Sequence, residues 1–227
     1  KESERYVVSE IRLVGATTAD AVRDQIRTAY AATAAEYVVL LGDIDAVPTF
    51  THFVYGTTAH SDLLYALLDS GETYTDFLGK DVHLGRISQD SDAGVQQYVS
   101  KLSAFVTGPR HRHLTWVSGG ATSSEYDIAE TTHNAVMAQY LDPELYTHAL
   151  FYRDVGSAGE LSATINAGTD GVIYSGHGEQ SGWLRYGYDA GEIGQLVNAL
   201  DAPVVFGHCC LTGSFELNDC FAEEWLK

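Results

Sequence analysis

Positive charge is scarce in this sequence. Thirteen Lys and Arg, only four of them lysine (Lys1, Lys80, Lys101, Lys227), stand against 31 Asp and Glu, giving a formal net charge of −18. A surface of that sign repels nucleic acid and anionic membranes, so neither is expected as a partner. The acids are scattered rather than run together, which suits work in high salt as well as an ordinary acidic secreted or cytosolic protein. Long apolar runs are missing too: none approaches the ~20 residues of a membrane-spanning helix. The chain opens in polar KESER, so a targeting segment of the basic and apolar kind is not expected within these residues. Cysteine is sparse and odd in number, with Cys209, Cys210 and Cys220 all close to the end. An odd count leaves a thiol free, and a vicinal pair closes a strained ring, so a disulfide framework is not expected. His208 with the three cysteines matches no zinc spacing, and consecutive strand side chains point to opposite faces.

What is present is a rhythm. With 227 residues, 45% of them hydrophobic, the chain can bury one large core or two small ones. Residues 6–14 alternate loosely like a strand, 18–35 read as an Ala-rich helix, and YVVLLGD (37–43) reads as a buried strand. VHLGRI (82–87) is another strand, followed by a helix over 91–106. TGPRHRH (107–113) breaks the pattern, which predicts subdomains at 1–107 and 114–227 with 108–113 as linker. The second half gives strands at 114–120, 146–154, 171–176 and 203–208, interleaved with helices at 124–141, 157–168, 190–200 and from 219. Continuous Val, Ile, Tyr and Phe runs alternating with helices predict an α/β fold: a mostly parallel sheet in a three-layer sandwich. Ligands of such sheets bind beyond the carboxyl ends of the strands. Two motifs lie at those ends: Gly176-His177-Gly178 in VIYSGHGEQSGW and Cys209-Cys210 in PVVFGHCCLTGSFE. A thiol attacks as thiolate, with an ordinary pKa near ~8.5, and a strand end beside an imidazole suits that chemistry.

YSGHGEQSGW, HCCLTGSF and DCFAEEWL, with YVVLLGDIDAVP, HSDLLYALLD and DVHLGRIS upstream, resemble the gingipain-type cysteine peptidases of the caspase-like clan in order and spacing. The resemblance covers nearly the whole chain and implies two side-by-side α/β subdomains, the second carrying a Cys/His dyad. Laid on the family pattern Cys-x-x-Gly-x-Phe, Cys210 is the nucleophile and Cys209 falls where a small residue belongs. His177 is then the general acid and base, and the backbone N–H of Gly178, with that of Cys210, forms the oxyanion hole. The pocket carboxylate that holds a substrate Arg or Lys is laid on Asp127, and Trp183 is placed with it on the substrate side. The carboxylate that orients the histidine has no clear counterpart, because GGATSS (119–124) is shorter than in the best-known members; Glu125 is the candidate, and a backbone carbonyl is the alternative.

The resemblance therefore implies a secreted or cell-surface thiol endopeptidase that cuts peptides after basic residues through a thioester acyl-enzyme. No cofactor is implied for catalysis. Structural calcium is, with oxygens in the loops GDIDAVP (42–48) and SQDSDAG (88–94), though neither fits the twelve-residue calcium-loop pattern. A catalytically silent surface or sorting module of the same fold, and a transpeptidase using the same dyad, are the alternatives. Family members continue well past the CFAE helix, so the second subdomain is expected to be incomplete at its C-terminal end. Self-cleavage after Lys227, leaving an associated second chain, is one expectation; a cut chain and a split gene are the others.

Overall fold

A computed structural model describes residues 7–15, 17–54, 56–216 and 219–227. Its internal contacts divide the chain into two compact units, Lys1–Asp90 and Ser91–Lys227. The first unit thus ends 17 residues before the end expected at 107, and the helix between belongs to the second unit. Its Tyr98, Leu102 and Phe105 line a cavity of 620 Å³ together with Val205, Phe221 and Trp225, and Gln97 donates to the Lys227 carbonyl.

In the first unit α1 (Ala19–Thr33) is capped by Thr18, whose hydroxyl accepts from the Ala21 N–H, and buries Val22 and Ile26, one turn apart. These pack with Leu40, Val47, Tyr65, Leu68 and Val82. Strand β1 (Tyr37–Leu41) precedes the hairpin β2 (Phe50–Val54) and β3 (Thr57–Ser61), which sequence periodicity did not predict, and β1 runs parallel to β4 (His83–Ile87). Arg23 and Arg27 of α1 donate to the carbonyls of Leu67 (2.8 Å), Leu68 (2.7 Å) and Asp69 (2.7 Å), so the loop crossing the core leaves these acceptors satisfied. Arg86 grips Asp62 at 2.7 Å through both Nε and Nη2. Of the strand expected at 6–14, Tyr6 lies outside the described residues. Residues 7–14 form no strand: among the described residues β1 and β4 pair only with each other, and Val7, Val8 and Val14 face solvent.

In the first of the loops expected to offer calcium oxygens, 42–48, Asp43 is engaged by neighbouring donors. Asp43 Oδ1 accepts from the Ile44 N–H (2.6 Å) and from the Ser88 hydroxyl (3.0 Å), so it faces hydrogens. Among the described residues no three His, Cys, Asp or Glu side chains converge to hold a metal.

The second unit begins with α2 (Asp92–Thr107), capped by Ser91, and then builds a four-stranded parallel sheet from β5 (His113–Ser118), β6 (Thr147–Phe151), β7 (Gly171–Ser175) and, last in sequence, β11 (Val204–His208). The strand order is β11-β7-β5-β6. Between β7 and β11 the chain makes a small antiparallel ribbon, β8 (Gly178–Glu179), β9 (Gly182–Trp183) and β10 (Tyr188–Asp189). Helix α3 (Ser123–Tyr140) covers one face, where Trp116 lies 5.1 Å from the His133 ring. The other face carries α4 (Ala158–Asn166), α5 (Ala190–Ile193) and α6 (Phe221–Glu224), whose Leu161, Ile165, Ile193 and Phe221 pack on Val117, Val172 and Tyr174. Neighbouring residues of β5 thus bury into opposite layers, which is the three-layer arrangement expected of a parallel sheet. The helix expected over 190–200 stops after one turn. Gly194 follows α5, and Asn198 turns the chain by donating to the carbonyls of Ile165 and Asp201. No helix among the described residues is long and apolar enough to cross a membrane.

His133 is the buried oddity of α3. It is 2% exposed, its Nε2 lies 2.8 Å from the Ser175 hydroxyl, and its pKa is pulled down to about 4 by burial first and by nearby His208 second, against a weaker pull from Glu130. A histidine whose folded pKa lies below its unfolded value of ~6.5 binds its proton more readily unfolded, so it lowers stability as the medium is acidified through that window. Stability should be flat above pH ~6.5 and fall by about 3 kcal/mol towards pH ~4 through this group. Urea midpoints from pH 4 to 8 test it: His133→Gln should be less stable at neutral pH yet show a slope shallower by one proton over the same window. An unchanged slope would discard the assignment.

Candidate active site

The site starts from strand register. β7 and β11 are parallel neighbours in which Ser175 pairs with His208. Two residues further along each strand come His177 and Cys210, so both emerge at the same carboxyl edge of the sheet, where α/β sheets hold ligands. β7 also neighbours β5, and the Gly119 N–H donates to the Ser175 carbonyl at 2.8 Å. The turn from β5 into α3 therefore lies against the same edge.

The glycines around His177 are there for close contact. A Cβ on Gly176 would come within 2.6 Å of the Gly119 carbonyl oxygen, and one on Gly178 within 2.7 Å of the Cys210 carbonyl oxygen and 3.0 Å of Cys209 Sγ. The loop is thus wedged between the two segments that carry Gly119 and Cys210. Its backbone is pinned at the His177 carbonyl, which accepts from the Tyr174 hydroxyl at 2.5 Å and the Leu184 N–H at 3.1 Å. The imidazole stays outside, 46% exposed.

Glu125 faces it. Glu125 Oε1 lies 3.3 Å from His177 Nε2, while Oε2 accepts from the backbone N–H groups of Ala121 (2.7 Å) and Thr122 (2.8 Å). Thr122 completes a capping box by accepting from the Glu125 N–H. One carboxylate closes the helix N-terminus with one oxygen and meets the imidazole with the other. The Thr122 and Ala121 N–H groups, more than His177, hold the carboxyl below its usual range, so it is ionised at neutral pH.

The three thiols differ in setting. Cys210 is exposed. Cys209 is half-buried against the aromatic core, 3.3 Å from the Thr212 hydroxyl, and lines the 620 Å³ cavity; burial pushes its thiol up. Cys220 is buried at the cap of α6, and burial pushes it up to about 12. After Cys210 the chain turns sharply: the Thr212 N–H donates to the Cys210 carbonyl at 2.8 Å, and Leu211 takes a left-handed φ of 59°.

Trp183, expected on the substrate side, is a core residue. It is 2% exposed, stacked on Tyr174 with ring centroids 4.5 Å apart, and surrounded by Tyr188, Phe221 and Trp225. The ring is thus turned into the interior, where it lines the 620 Å³ cavity together with Cys209. Asp127 lies in the second turn of α3, and its carboxylate is already met by the Arg153 guanidinium. Sequence reasoning missed Arg153. Its place two residues beyond β6, at the same sheet edge as the two motifs, is the signal that could have found it.

A family model, Peptidase family C25, matches residues 4–227. Gingipain R2 of Porphyromonas gingivalis is 22% identical over 246 residues, covering 100% of this chain and 32% of the relative. Gingipain R1 of the same organism is 22% identical over the same length, covering 100% of this chain and 23% of the relative. The chain thus spans a third or less of these relatives. Among solved structures, the Arg-specific cysteine proteinase gingipain R superposes with a TM-score of 0.70 at 22% identity, over 91% of this chain and 48% of that one. A further protease superposes with a TM-score of 0.73 at 19% identity, over 90% and 46%. These likenesses show a shared caspase-like α/β fold. With its family model matched from residue 4 to the last, the chain belongs to peptidase family C25.

Proposed function

We propose that this chain carries the catalytic centre of a secreted or cell-surface cysteine endopeptidase that cleaves after basic residues. The observation that supports it most is the meeting, at one sheet edge, of an exposed thiol, a half-exposed imidazole and an ionised carboxylate 3.3 Å from that imidazole. Cys210 passes its thiol proton to His177 and its Sγ attacks the scissile carbonyl carbon, forming the C–S bond as the carbonyl π pair moves onto the oxygen. As the C–N bond breaks, His177 gives its proton to the departing amine. Water then attacks the thioester, passing a proton back through His177, and the C–S bond breaks to free the acid and the thiol. With Nε2 directed at Glu125, Nδ1 is the nitrogen left for this proton traffic, and Glu125 is the group that orients the ring. Gly178, packed against the Cys210 backbone, is placed to share the oxyanion with the Cys210 N–H, a donor worth about 3 kcal/mol in comparable sites. Asp127 is the carboxylate we assign to the basic P1 side chain.

Peptide amides ending in Arg, Lys, Asn or Leu, offered with and without iodoacetamide, test the assignment. Turnover of the Arg and Lys amides that stops on alkylation of Cys210 is expected. Hydrolysis of none of them, with Cys210 unlabelled, would favour a silent binding module. Product joined to an added amine instead of water would mark a transpeptidase.

A further inference from the structure

We propose that Arg153 is a built-in competitor for the Asp127 carboxylate and so sets how strongly the site prefers a basic P1 residue; this rests on the reading of Asp127 as the P1 carboxylate. Arg153 Nη2 meets Asp127 Oδ1 and also donates to the Ser123 carbonyl at 2.6 Å. The same residue is held at its backbone, whose N–H donates to Glu130 Oε1 at 2.7 Å. Its guanidinium carbon lies 5.2 Å from the centre of the Tyr126 ring, which has the Arg185 guanidinium 5.7 Å away. Arg153 Nε is buried without a hydrogen-bond partner. The cation is therefore tethered and aimed by several contacts, yet the carboxylate it meets is open: the Asp127 side chain is 67% exposed and that of Arg153 31%.

That combination decides between a lock and a competitor. A buried ion pair resists separation because either partner alone is stranded without solvent, whereas an exposed pair is held weakly. Asp127 can exchange its partner for a substrate cation, but the incoming charge has to displace Arg153 from the carboxylate. Like charges in one place are how sites reject a ligand. The parent protein should thus show a muted preference for Arg and Lys that one substitution unmasks.

Arg153→Met keeps the aliphatic stem and removes the charge. Peptide amides ending in Arg, Lys or norleucine are compared by kcat and KM, and benzamidine is titrated as a free cation. The KM for Arg and Lys should fall about fivefold, as expected for one exposed charge pair, with kcat and the norleucine substrate unchanged. Benzamidine should inhibit the variant more strongly by a similar factor. Arg153→Gln, which retains a donor for the Ser123 carbonyl, should behave alike, and melting curves check that both variants are folded. Asp127→Asn separates the two ideas. If it leaves the basic preference intact, Asp127 is not the P1 carboxylate and the competitor falls with it. If it removes the preference while both Arg153 variants keep the parent KM for Arg, the competitor alone is overturned.

Discussion

Cys210→Ala should reduce kcat/KM by about 10⁴-fold or more, while Cys209→Ala leaves it within about threefold. The two thiols are adjacent in sequence, so the contrast isolates geometry from composition. Cys209 shares the strand face whose alternate residues pack into the aromatic core, and burial disfavours its thiolate, the form that attacks. Cys210 falls on the other side, exposed, beside the loop that Gly178 lets close on it. Brief iodoacetamide treatment followed by peptide mapping supplies a readout that needs no substrate: a single label on Cys210 in the parent, and none in Cys210→Ala over the same time. His177→Ala should lose about as much activity as Cys210→Ala, and the double variant little more, because the two act as one unit. Loss of activity in Cys209→Ala with retention in Cys210→Ala would reverse the assignment.

The register of β7 and β11 explains why this much was legible from residues alone. Short, continuous apolar runs bounded by Gly and Pro mark parallel strands, and a motif at the end of such a run must emerge at a sheet edge, so His177 and Cys210 could be placed together before any coordinates. Helices α1, α2 and α3 begin within one residue of the starts read at 18, 91 and 124, since apolar residues at helical spacing are a local signal. What escaped depends on long-range contact. The hairpin of β2 and β3 has no strict polar and apolar alternation, and the apolar 7–14 segment has no partner strand. Trp183 looks like a binding aromatic in a glycine-rich loop, and only the ribbon's fold turns it inward. The place where the chain divides was misjudged because Gly-Pro after α2 is a local break, whereas the units are defined by what α2 packs against. The Arg153 pairing with Asp127 joins residues 26 apart on different elements, which no local pattern records.

Glu125 carries two duties on two oxygens, and Glu125→Gln should separate them. The amide oxygen can still accept from the Ala121 and Thr122 N–H groups, so the helix cap survives; turning the amide around would set its NH₂ against those two donors. The end left facing His177 Nε2 is then a donor where the parent presents an anion, and the imidazole loses its orienting partner. We expect kcat to drop by about 10²-fold with KM little changed and melting temperature nearly that of the parent. Thr122→Ala is the converse: it removes the other half of the capping box, costing about 1 kcal/mol of stability while kcat stays within about twofold. The pH dependence adds a third check. Backbone donors keep the Glu125 carboxyl below its ordinary range, so its contribution is fully present above that range and is lost only as pH falls through the depressed value. The gap in kcat between parent and Glu125→Gln should therefore persist through mildly acidic pH and close only below the usual carboxylate range. Equal losses of melting temperature in the two variants, with kcat untouched in both, would reduce Glu125 to a helix cap and return the orientation of His177 to its backbone surroundings.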